Sequence, residues 1–575
     1  MINVTIAHSA VNAKLHEASR EVKLEVQQIL SYNVAGAEQT TAFKNSGWDG
    51  KSSFLSFRDG VFPAGFVHLV TAHLTRRGYK VNVVKKPLPE PLGPENPVVD
   101  AFGEDPDYDY QMDTVNRLVR HGKIIAQVAT GGGKSRIAKK AFARIGRPTL
   151  FLTTRSLLMY QMKAAFENDM GIEVSVLGDG QFGSVTVDAD GTERRSIKRM
   201  TVGMVQTLNA RLEVLTLQGE FERVYDAILK KEQAAFAAKK TALKLMKVSP
   251  AEQARILKEF ATEQTKARED AEAIKRVAAA KVAKQDAVRA QTIKLLSKFE
   301  LVILEEAHEA SGAGFYGIMG HCVNAHYRMA LTATPFMKDD EEANMKLMAV
   351  AGPVGIRVSE ETLIERGILA KPFFKFCKMQ EPAAKLYRST SWASAYRLGV
   401  VEYEARNQAI VEEAKRGRDY GLSTMCLIQH KAHGERLLKM MTVAGLRADF
   451  IYGESDHATR KAQLKLLADG ELDVLIGSTI LDVGVDVPAV GLIILGGGGK
   501  AEVALRQRIG RGLRKKKAGP NVAFVVDFMD SQNDHLRGHY LQRRAIIEST
   551  KGFGENILAA NEDFNYEKMG FSRVK

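Results

Sequence analysis

The stretch that decides the fold is A-T-G-G-G-K-S, Ala129 to Ser135. It follows a short apolar run, Ile124 to Val128, and precedes a run with helical spacing, Arg136 to Ile145. Glycines between a strand and a helix let the loop turn its N–H groups inward, beside the positive end of the helix dipole. Lys134 can then reach the β- and γ-phosphates of a nucleotide, and the Ser135 hydroxyl can hold Mg²⁺.

This loop departs from the strict phosphate-binding pattern at one position, because Val128 stands where the pattern has glycine. On this stretch alone, a plain glycine-rich turn is the alternative. We expect ATP with Mg²⁺ as the ligand, because further motifs along the chain support it. The residues expected to cradle the phosphates are Thr130, Gly131, Gly132, Gly133, Lys134 and Ser135.

The composition favours a polyanionic partner. The chain has 575 residues, and its formal net charge of +14 makes nucleic acid the first candidate, with solubility alone as the alternative. Three cysteines lie far apart, in no spacing typical of zinc sites or disulfide frameworks, which favours a reducing compartment. No signal-peptide pattern and no membrane-spanning apolar run is visible, so we expect a cytoplasmic protein with no membrane partner.

Alternating strand-like and helix-like runs predict an α/β chain of several units. Two regions have the alternation typical of a parallel sheet covered by helices, and a small α/β unit with a proline-rich linker precedes them. The expected division is 1–86 for the small unit, 87–107 for the linker, 108–352 and 353–540 for the two large regions, and 541–575 for a C-terminal tail.

Residues 218–298 interrupt the alternation in the first large region. They are rich in Ala, Lys, Glu, Gln and Arg and nearly free of Gly. Ser249, Pro250 and Glu252 give three separate signals of a helix start. We expect two long helices that project as an antiparallel hairpin, which is either a solvated spacer or an arm that touches nucleic acid or a partner.

A second chemical motif, E-E-A-H, follows the apolar run Leu301 to Leu304. Carboxylates at the end of a buried parallel strand lie at the same sheet edge as the phosphate loop. One carboxylate is needed to hold Mg²⁺, and another to polarise the attacking water. We assign Glu305 to the metal and Glu306 to the water, with an exposed acidic helix start as the alternative.

Two later motifs are candidates for coupling and for charge stabilisation. Thr332 and Thr334, in T-A-T-P, follow a strand-like run, where hydroxyls can link the nucleotide pocket to a second ligand. In Q-R-I-G-R-G-L-R, Arg511 and Arg514 are three residues apart and so share one side of a helix or loop. Such guanidinium groups suit a γ-phosphate held across a cleft, and the alternative is a basic surface for a nucleic-acid backbone.

The order of these motifs resembles the superfamily 2 helicases and translocases, over most of residues 108–515. A-T-G-G-G-K-S, E-E-A-H and T-A-T-P look like motifs I, II and III, and the stretches around Gly484 and Gln507 look like motifs V and VI. T-T-R-S-L-L-M-Y-Q, V-G-M-V-Q-T-L and C-L-I-Q-H-K-A-H-G-E look like motifs Ia, Ib and IV. The resemblance implies two tandem RecA-like domains, with a small α/β N-terminal module and a helical insertion in the first domain.

The resemblance also implies roles for single residues. Gln111 stands where the family has its adenine-reading glutamine, and Gln507 would help to place the attacking water. Gly484 and Asp486 belong to the implied nucleotide site, and His308 joins Thr332 and Thr334 in coupling. Contacts with the nucleic-acid backbone are implied for Arg155, Gln206, Thr207, His430, Thr479 and Asp482.

Within the superfamily, the chain is most similar to the UvsW-type helicases of bacteriophages. Their N-terminal module carries a W-D-G stretch, as Trp48 to Gly50 does here, and it is implied to grip duplex DNA. This similarity makes Trp48 and Lys51 candidate DNA contacts.

The function that the resemblance implies is an ATP-dependent DNA helicase or duplex translocase that remodels branched DNA in recombination, repair or replication-fork processing. We expect a monomer, in the cytoplasm of a bacterial host cell if phage-encoded, with single-stranded DNA-binding or recombination proteins as further candidate partners. An RNA helicase, the motor subunit of a restriction or defence nuclease, and a slow ATP-gated clamp are the alternatives. The clamp is suggested by Glu305, where the family nearly always has Asp.

Overall fold

A computed structural model gives the fold of the chain. It describes residues 2–187, 193–246, 248–307, 313–336, 340–379, 383–453, 455–477, 489–499, 505, 509–510, 512–516, 519–560 and 562–574.

The N-terminal module is a four-stranded sheet with strand order β5-β2-β1-β6. Strand β1 pairs antiparallel with β2 and parallel with β6, and two helices cover one face with Val22, Val26, Val70 and Leu74. Its elements are β1 (Asn3–His8), β2 (Asn12–His16), α1 (Arg20–Ile29), β3 (Ser31–Asn33), α2 (Thr41–Ser46), β4 (Lys51–Ser53), β5 (Val61–Pro63), α3 (Val67–Arg76) and β6 (Lys80–Lys85).

The first large domain contains an eight-stranded sheet with strand order β10-β9-β13-β8-β14-β15-β7-β16. All neighbouring strands are parallel except β9 and β10. Helices cover both faces, which is why the central strands are almost continuously apolar. The elements outside the insertion are α4 (Asp109–His121), β7 (Lys123–Val128), α5 (Lys134–Ile145), β8 (Thr149–Thr153), α6 (Ser156–Met170), β9 (Val174–Gly178), β10 (Gln181–Phe182), β11 (Ser184–Val187), β12 (Glu193–Ser196), β13 (Met200–Met204), α7 (Val205–Leu212), β14 (Leu301–Glu305), α11 (Ala313–His321), β15 (Tyr327–Thr332), α12 (Glu341–Ala351), β16 (Val354–Val358) and α13 (Glu360–Glu365).

The insertion contains three helices, where the sequence predicted two: α8 (Leu217–Leu245), α9 (Pro250–Glu269) and α10 (Ala271–Leu296). The start at Ser249 is confirmed, because its hydroxyl accepts a hydrogen bond from Glu252 N. The additional break is at Asp270, which leaves the helical conformation and caps α10 by accepting from Ala273 N at 2.8 Å. Helix α8 packs against both others in antiparallel order, because Glu220 near its start pairs with Lys281 of α10, and Lys239 further along lies over the Phe260 ring of α9. The predicted hairpin is therefore confirmed, with its return arm divided into α9 and α10.

The second large domain contains a six-stranded parallel sheet with strand order β17-β22-β21-β18-β20-β19. The parallel sheet expected for this region is confirmed, and β17 is one of its edge strands. The elements are β17 (Lys371–Lys378), α14 (Trp392–Tyr396), α15 (Glu404–Asp419), β18 (Thr424–Leu427), α16 (Lys431–Val443), β19 (Ala448–Ile451), α17 (His457–Ala468), β20 (Val474–Gly477), β21 (Leu492–Ile494), β22 (Val522–Met529) and α18 (Asp534–Ser549).

Two expected domain boundaries differ from the structure. Strand β16 pairs with β7, so the first sheet extends past the boundary expected at residue 352. Phe564 and Tyr566 are buried in the core of the second domain, and the Tyr566 ring stacks on Tyr420 with a centroid distance of 4.7 Å. The stretch expected to be a tail is therefore part of the second domain.

The N-terminal module is docked on α12, the helix that follows the T-A-T-P motif. Asn33 donates two hydrogen bonds, from its backbone N and from Nδ2, to Glu341 Oε2, each at 3.0 Å. Gly65 approaches the same helix so closely that a Cβ there would lie 2.0 Å from Met348 O and 2.4 Å from Ala349 O. The contact is therefore one of backbone against backbone, and it tolerates only glycine at this position.

We predict that Gly65→Ala destabilises the docked module by about 1–3 kcal/mol, because backbone atoms of α12 must move to admit the methyl group. Thermal unfolding would show a lower Tm or an early separate transition. Gly538→Ala is the matched control, because a Cβ at this helical glycine meets no atom within 4 Å. An unchanged unfolding curve for Gly65→Ala would contradict the docking described above.

Candidate functional site

The phosphate loop connects β7 to α5, as the sequence predicted. Gly131 and Gly133 have φ angles of 88° and 78°, which are rarely accessible to other residues. A Cβ at Gly132 would lie 2.6 Å from Val128 Cγ1. Helix α5 begins at Lys134 without a side-chain cap, so its first N–H groups remain available for a phosphate.

The side chain of Gln111 lies against this loop. Its Nε2 donates to Gly132 O at 3.4 Å, and its Oε1 accepts from Arg136 Nη1 at 3.2 Å. Tyr110, which the sequence analysis missed, donates from its hydroxyl to the same carbonyl at 2.7 Å. Its only sequence signal is its position before Gln111. The adenine-reading role of Gln111 stays a prediction, because both ends of its amide contact protein atoms here.

The acidic pair lies at the end of the central strand β14, between β8 and β15. Glu305 is buried, and its Oε2 has no hydrogen-bond partner among the described residues. Burial and the neighbouring Glu306 carboxylate raise the pKa of Glu305, and the positive charge of Lys134 offsets part of this shift. Glu306 has a φ of 46°, in the left-handed region that non-glycine residues seldom occupy.

These residues fit a divalent cation. A buried carboxylate oxygen without a partner, within the field of Lys134 and near a second carboxylate, is the hard donor that Mg²⁺ prefers. Ser135 is exposed at the start of α5 and supplies a hydroxyl. No group of three or more His, Cys, Asp or Glu side chains suited to a metal occurs among the residues that the structure describes, so protein ligands alone do not form a closed metal site there.

The T-A-T-P turn lies between the phosphate loop and the acidic pair, because β15 pairs with both β7 and β14. Thr334 N donates to Thr332 Oγ1 at 3.2 Å, and Gln127 Nε2 from β7 donates to Ala333 O at 3.3 Å. Thr332 and Thr334 therefore lie at the same sheet edge as the phosphate loop, as predicted. His308, the third predicted coupling residue, lies outside the described residues.

The second domain reaches the same loop. A Cβ at Gly510 would lie 2.8 Å from Thr130 Cβ, and a Cβ at Gly131 would lie 2.7 Å from Leu369 Cδ2. Leu369 forms an isolated antiparallel bridge with Arg514. Leu369 could not be predicted from the sequence, because a single leucine in a connecting segment carries no signal. The predicted residues Gln507, Arg511, Gly484 and Asp486 lie outside the described part of the chain.

Three helices that carry predicted nucleic-acid contacts begin at the carboxyl ends of parallel strands. They are α6 after β8, α7 after β13 and α16 after β18, and none of the three has a side-chain cap in the structure. Arg155 and His430 are exposed at the N-caps of α6 and α16. The N-termini of these helices are thus available to anions.

Two other predicted contacts have internal roles. Gln206 Nε2 donates to Thr154 O at 2.7 Å, so it connects motif Ib to motif Ia, and Thr207 is half-buried beside it. In the N-terminal module, Trp48 Nε1 donates to Lys51 O at 2.6 Å. The Trp48 indole N–H is therefore used inside its own loop, which leaves the exposed Lys51 side chain as the basic group there. Thr479 and Asp482 lie outside the described residues.

Among the described residues, the longest helices are too polar to cross a membrane.

Two family matches cover the two large domains. Residues 106–337 match the family described as type III restriction enzyme, res subunit, and residues 406–516 match the helicase conserved C-terminal domain. The first match includes the phosphate loop, the acidic pair and the T-A-T-P turn. The second includes His430, Gly510 and Arg514.

Curated relatives match over part of their length. A putative DNA 3'-5' helicase Rad25 of Halobacterium salinarum is 28% identical, over 40% of this chain and 36% of its own. A DNA 3'-5' translocase XPB2 of Sulfurisphaera tokodaii is 25% identical, over 40% of this chain and 59% of its own. Putative helicase 22 of a Sulfolobus islandicus filamentous virus is 24% identical, over 38% of this chain and 41% of its own. The matches thus span between about a third and three fifths of these relatives.

Among solved structures, T4 UvsW matches with 16% identity and a TM-score of 0.39, covering 97% of this chain and 99% of that one. The two family matches together enclose the motifs in the order that the sequence analysis found, on two parallel sheets with helices on their faces. The chain therefore belongs to superfamily 2 of the helicases and has its tandem RecA-like domains.

Proposed function

We propose that the protein is an ATP-driven motor that moves on DNA. The observation that carries this proposal is the contact of Gly510 from the second domain, and of Leu369 from the segment that connects the two domains, with Thr130 and Gly131 of the phosphate loop. A nucleotide on this loop would lie at a seam between two domains. Loss of its γ-phosphate would then alter the contact between the domains. A ligand shifts the equilibrium between an open and a closed arrangement only by its differential affinity for the two, and here the γ-phosphate would supply that difference.

In this proposal, the first domain binds and hydrolyses the nucleotide. Lys134 binds the phosphates, Ser135 and Glu305 would hold Mg²⁺, and Glu306 orients the attacking water with Gln507. Mg²⁺, when bound, would neutralise phosphate charge during the transfer. Arg511 and Arg514 stabilise the transition state from the second domain, and their neighbour Gly510 supports this role by its position against Thr130.

The proposed track is a nucleic-acid backbone. The uncapped N-termini of α6 and α7 in the first domain and of α16 in the second offer N–H groups to phosphates at the carboxyl edges of both sheets. Opening and closing of the seam would change the spacing between these two sets of contacts. Backbone contacts carry no sequence information, so binding would be sequence-tolerant and strongly salt-dependent.

We take DNA as the track because two relatives are named as a DNA 3'-5' helicase and a DNA 3'-5' translocase. The W-D-G loop of the N-terminal module supports the UvsW-type assignment and a role on branched DNA in recombination, repair or fork processing. The module's contact with α12 would tie this grip to the motor. The decisive experiment measures ATPase stimulation by single-stranded, duplex, forked and four-way DNA, with RNA alongside. A larger stimulation by RNA would favour an RNA helicase.

A second candidate is the motor subunit of a restriction nuclease. The family description of residues 106–337, a type III restriction enzyme subunit, favours it. Co-purification of a nuclease subunit from the native host would support this candidate.

We predict that Lys134→Ala lowers DNA-stimulated ATP turnover by about 10²-fold or more, because it removes a positive charge from a preorganised phosphate site. Steady-state ATPase measurements with saturating duplex DNA test this. Lys415→Ala is the control, because this lysine pairs with Glu412 on α15, away from the loop. Normal turnover by Lys134→Ala would refute the assignment of the phosphate loop.

We predict that Glu305→Gln stabilises the nucleotide-free protein at neutral pH while abolishing Mg²⁺-dependent turnover. The pKa of Glu305 is raised in the folded state above its ordinary value of 4.5. The folded chain therefore binds a proton more tightly than the unfolded chain, and stability is lost as pH rises from 4.5 through the raised pKa. Glutamine removes this loss, so Tm should rise by about 2–4 °C for each kcal/mol recovered.

Thermal unfolding at several pH values gives the comparison for Glu305→Gln. The Tm difference from the wild type should shrink toward acidic pH. Glu555→Gln, which changes an exposed carboxylate, should match the wild type throughout. A Glu305→Gln variant that is less stable than the wild type at neutral pH would show that this carboxylate is stabilised in the free protein.

We predict that Arg155→Ala weakens DNA binding to a similar degree for all sequences. The slope of the logarithm of the binding constant against the logarithm of the salt concentration, which we call the salt slope, should fall in magnitude by about 1, because one phosphate contact is lost. Fluorescence anisotropy over a range of salt concentrations measures both quantities. Arg573→Ala is the control, since this exposed arginine pairs with Asp419 at the end of α15, toward the amino edge of the sheet. Equal slopes for Arg155→Ala and the wild type would remove Arg155 from the track.

A further inference from the structure

A cluster of five rings lies on the second domain beside His430, and we call it the ring cluster. Trp392 of α14 has its ring centroid 4.4 Å from that of His539 and 6.5 Å from that of His535, both on α18. Its centroid lies 5.4 Å from that of Tyr396, whose own centroid lies 4.7 Å from that of His430. The rings form a continuous path from α14 and α18 to the start of α16.

One ring of the cluster is buried and fixed by a hydrogen bond, and other rings are exposed to solvent. Tyr396 is buried, and its hydroxyl donates to Gly497 O at 2.6 Å. Trp392 is 39% exposed, and His430 and His535 are also exposed. Trp392 is one of only two tryptophans in the chain. A large apolar ring is thus held at the surface by packing from beneath and from the side.

One buried asparagine keeps these elements in place. Asn533 Nδ2 donates to the carbonyl oxygens of Tyr387, Arg388 and Thr390 at 2.9, 3.1 and 3.0 Å. Its Oδ1 accepts from His535 N and Leu536 N, which caps α18. The segment before Trp392 and the helix with the two histidines are therefore joined through a single side chain. A π-helical turn at Arg397–Val401 follows α14, a feature frequent at functional sites.

The position of the ring cluster favours a nucleic-acid strand as its occupant. His430 is the N-cap of α16 at the carboxyl end of β18, and Gly497 follows β21, the neighbouring strand. The cluster is thus continuous with the sheet edge where we place the phosphate backbone. Two exposed cations lie next to its members in the sequence: Arg397, which pairs with Glu402 at 2.7 Å, and Lys431, whose Nζ lies 4.2 Å from the Tyr452 ring centroid. A strand with its phosphates at α16 could present a base to the rings.

We propose that Trp392 is a base-stacking site for one unpaired nucleobase of the bound strand, with the flanking histidines keeping its ring in place. This rests on the proposed function, because it needs a strand along the second domain. Stacking on an aromatic ring suits a motor, since every base has a π-face and binding does not depend on sequence. Unlike the α16 N-terminus, this site distinguishes an unpaired base from a paired one, because only an unpaired base can leave its stack.

The test compares full-length wild type, Trp392→Ala and Trp392→Phe on two probes of equal length, an oligo-dT and its abasic analogue. Trp392→Ala should bind oligo-dT about tenfold more weakly, on the order of one base–aromatic stack, and should bind the abasic probe as the wild type does. Trp392→Phe should recover most of the loss, and the salt slope should stay constant, because the contact is uncharged. Tyr387→Ala, at a neighbouring ring that is 70% exposed, is the matched control.

A second readout is tryptophan fluorescence. Oligo-dT should quench the tryptophan fluorescence of the wild type more than that of Trp392→Phe. The abasic probe should quench the fluorescence of both proteins equally. Equal losses by Trp392→Ala on both probes, or no loss on either, would overturn the stacking site alone. A wild type that binds duplex DNA but not oligo-dT would likewise overturn the stacking site alone, whereas a wild type that binds neither these probes nor duplex DNA would overturn the proposed function, and with it this site. A circular-dichroism spectrum of Trp392→Ala that matches that of the wild type confirms that the variant is folded.

Discussion

The structure depends on the contact between the second domain and the phosphate loop of the first. The Leu369 side chain lies so close to Gly131 that a Cβ at this glycine would have no room. The Thr130 side chain likewise leaves no room for a Cβ at Gly510. Gly131 thus leaves room for the Leu369 side chain and Gly510 for the Thr130 side chain, so these segments meet closely at the loop where we propose that the nucleotide binds. A nucleotide bound there would affect the packing between the domains, and this is the physical basis of the motor proposal.

The parallel sheets could be predicted because their strands are buried on both faces. Runs such as Leu301–Leu304 and Val522–Val526 are apolar without interruption, and this pattern does not depend on distant partners. The phosphate loop and the acidic pair were predicted for a related reason. Each follows such a strand directly, and the carboxyl ends of parallel strands meet at one edge. Local sequence therefore located the first half of the site.

Other features depend on contacts between distant parts of the chain. The third helix of the insertion begins at Asp270, a single cap within a run of good helix formers. Gln206 and Trp48 have side chains that could contact DNA, but the fold uses their hydrogen bonds on Thr154 and Lys51. Leu369 and Tyr110 support the phosphate loop from segments without a motif. Which partner a polar group finds is decided by tertiary packing, which residue spacing does not encode.

The position of Glu305 connects stability with chemistry. A carboxylate buried without a hydrogen-bond partner among the described residues, beside Glu306, disfavours its own charged form, and Lys134 only partly compensates. A cation bound there would favour the charged form and so be bound more tightly as protons leave. The extra methylene relative to aspartate moves this carboxylate outward from the strand by about one bond length. The free protein thus retains an unfavourable arrangement at Glu305 that a bound cation would relieve, so under our proposal the cation, rather than folding alone, would complete the site.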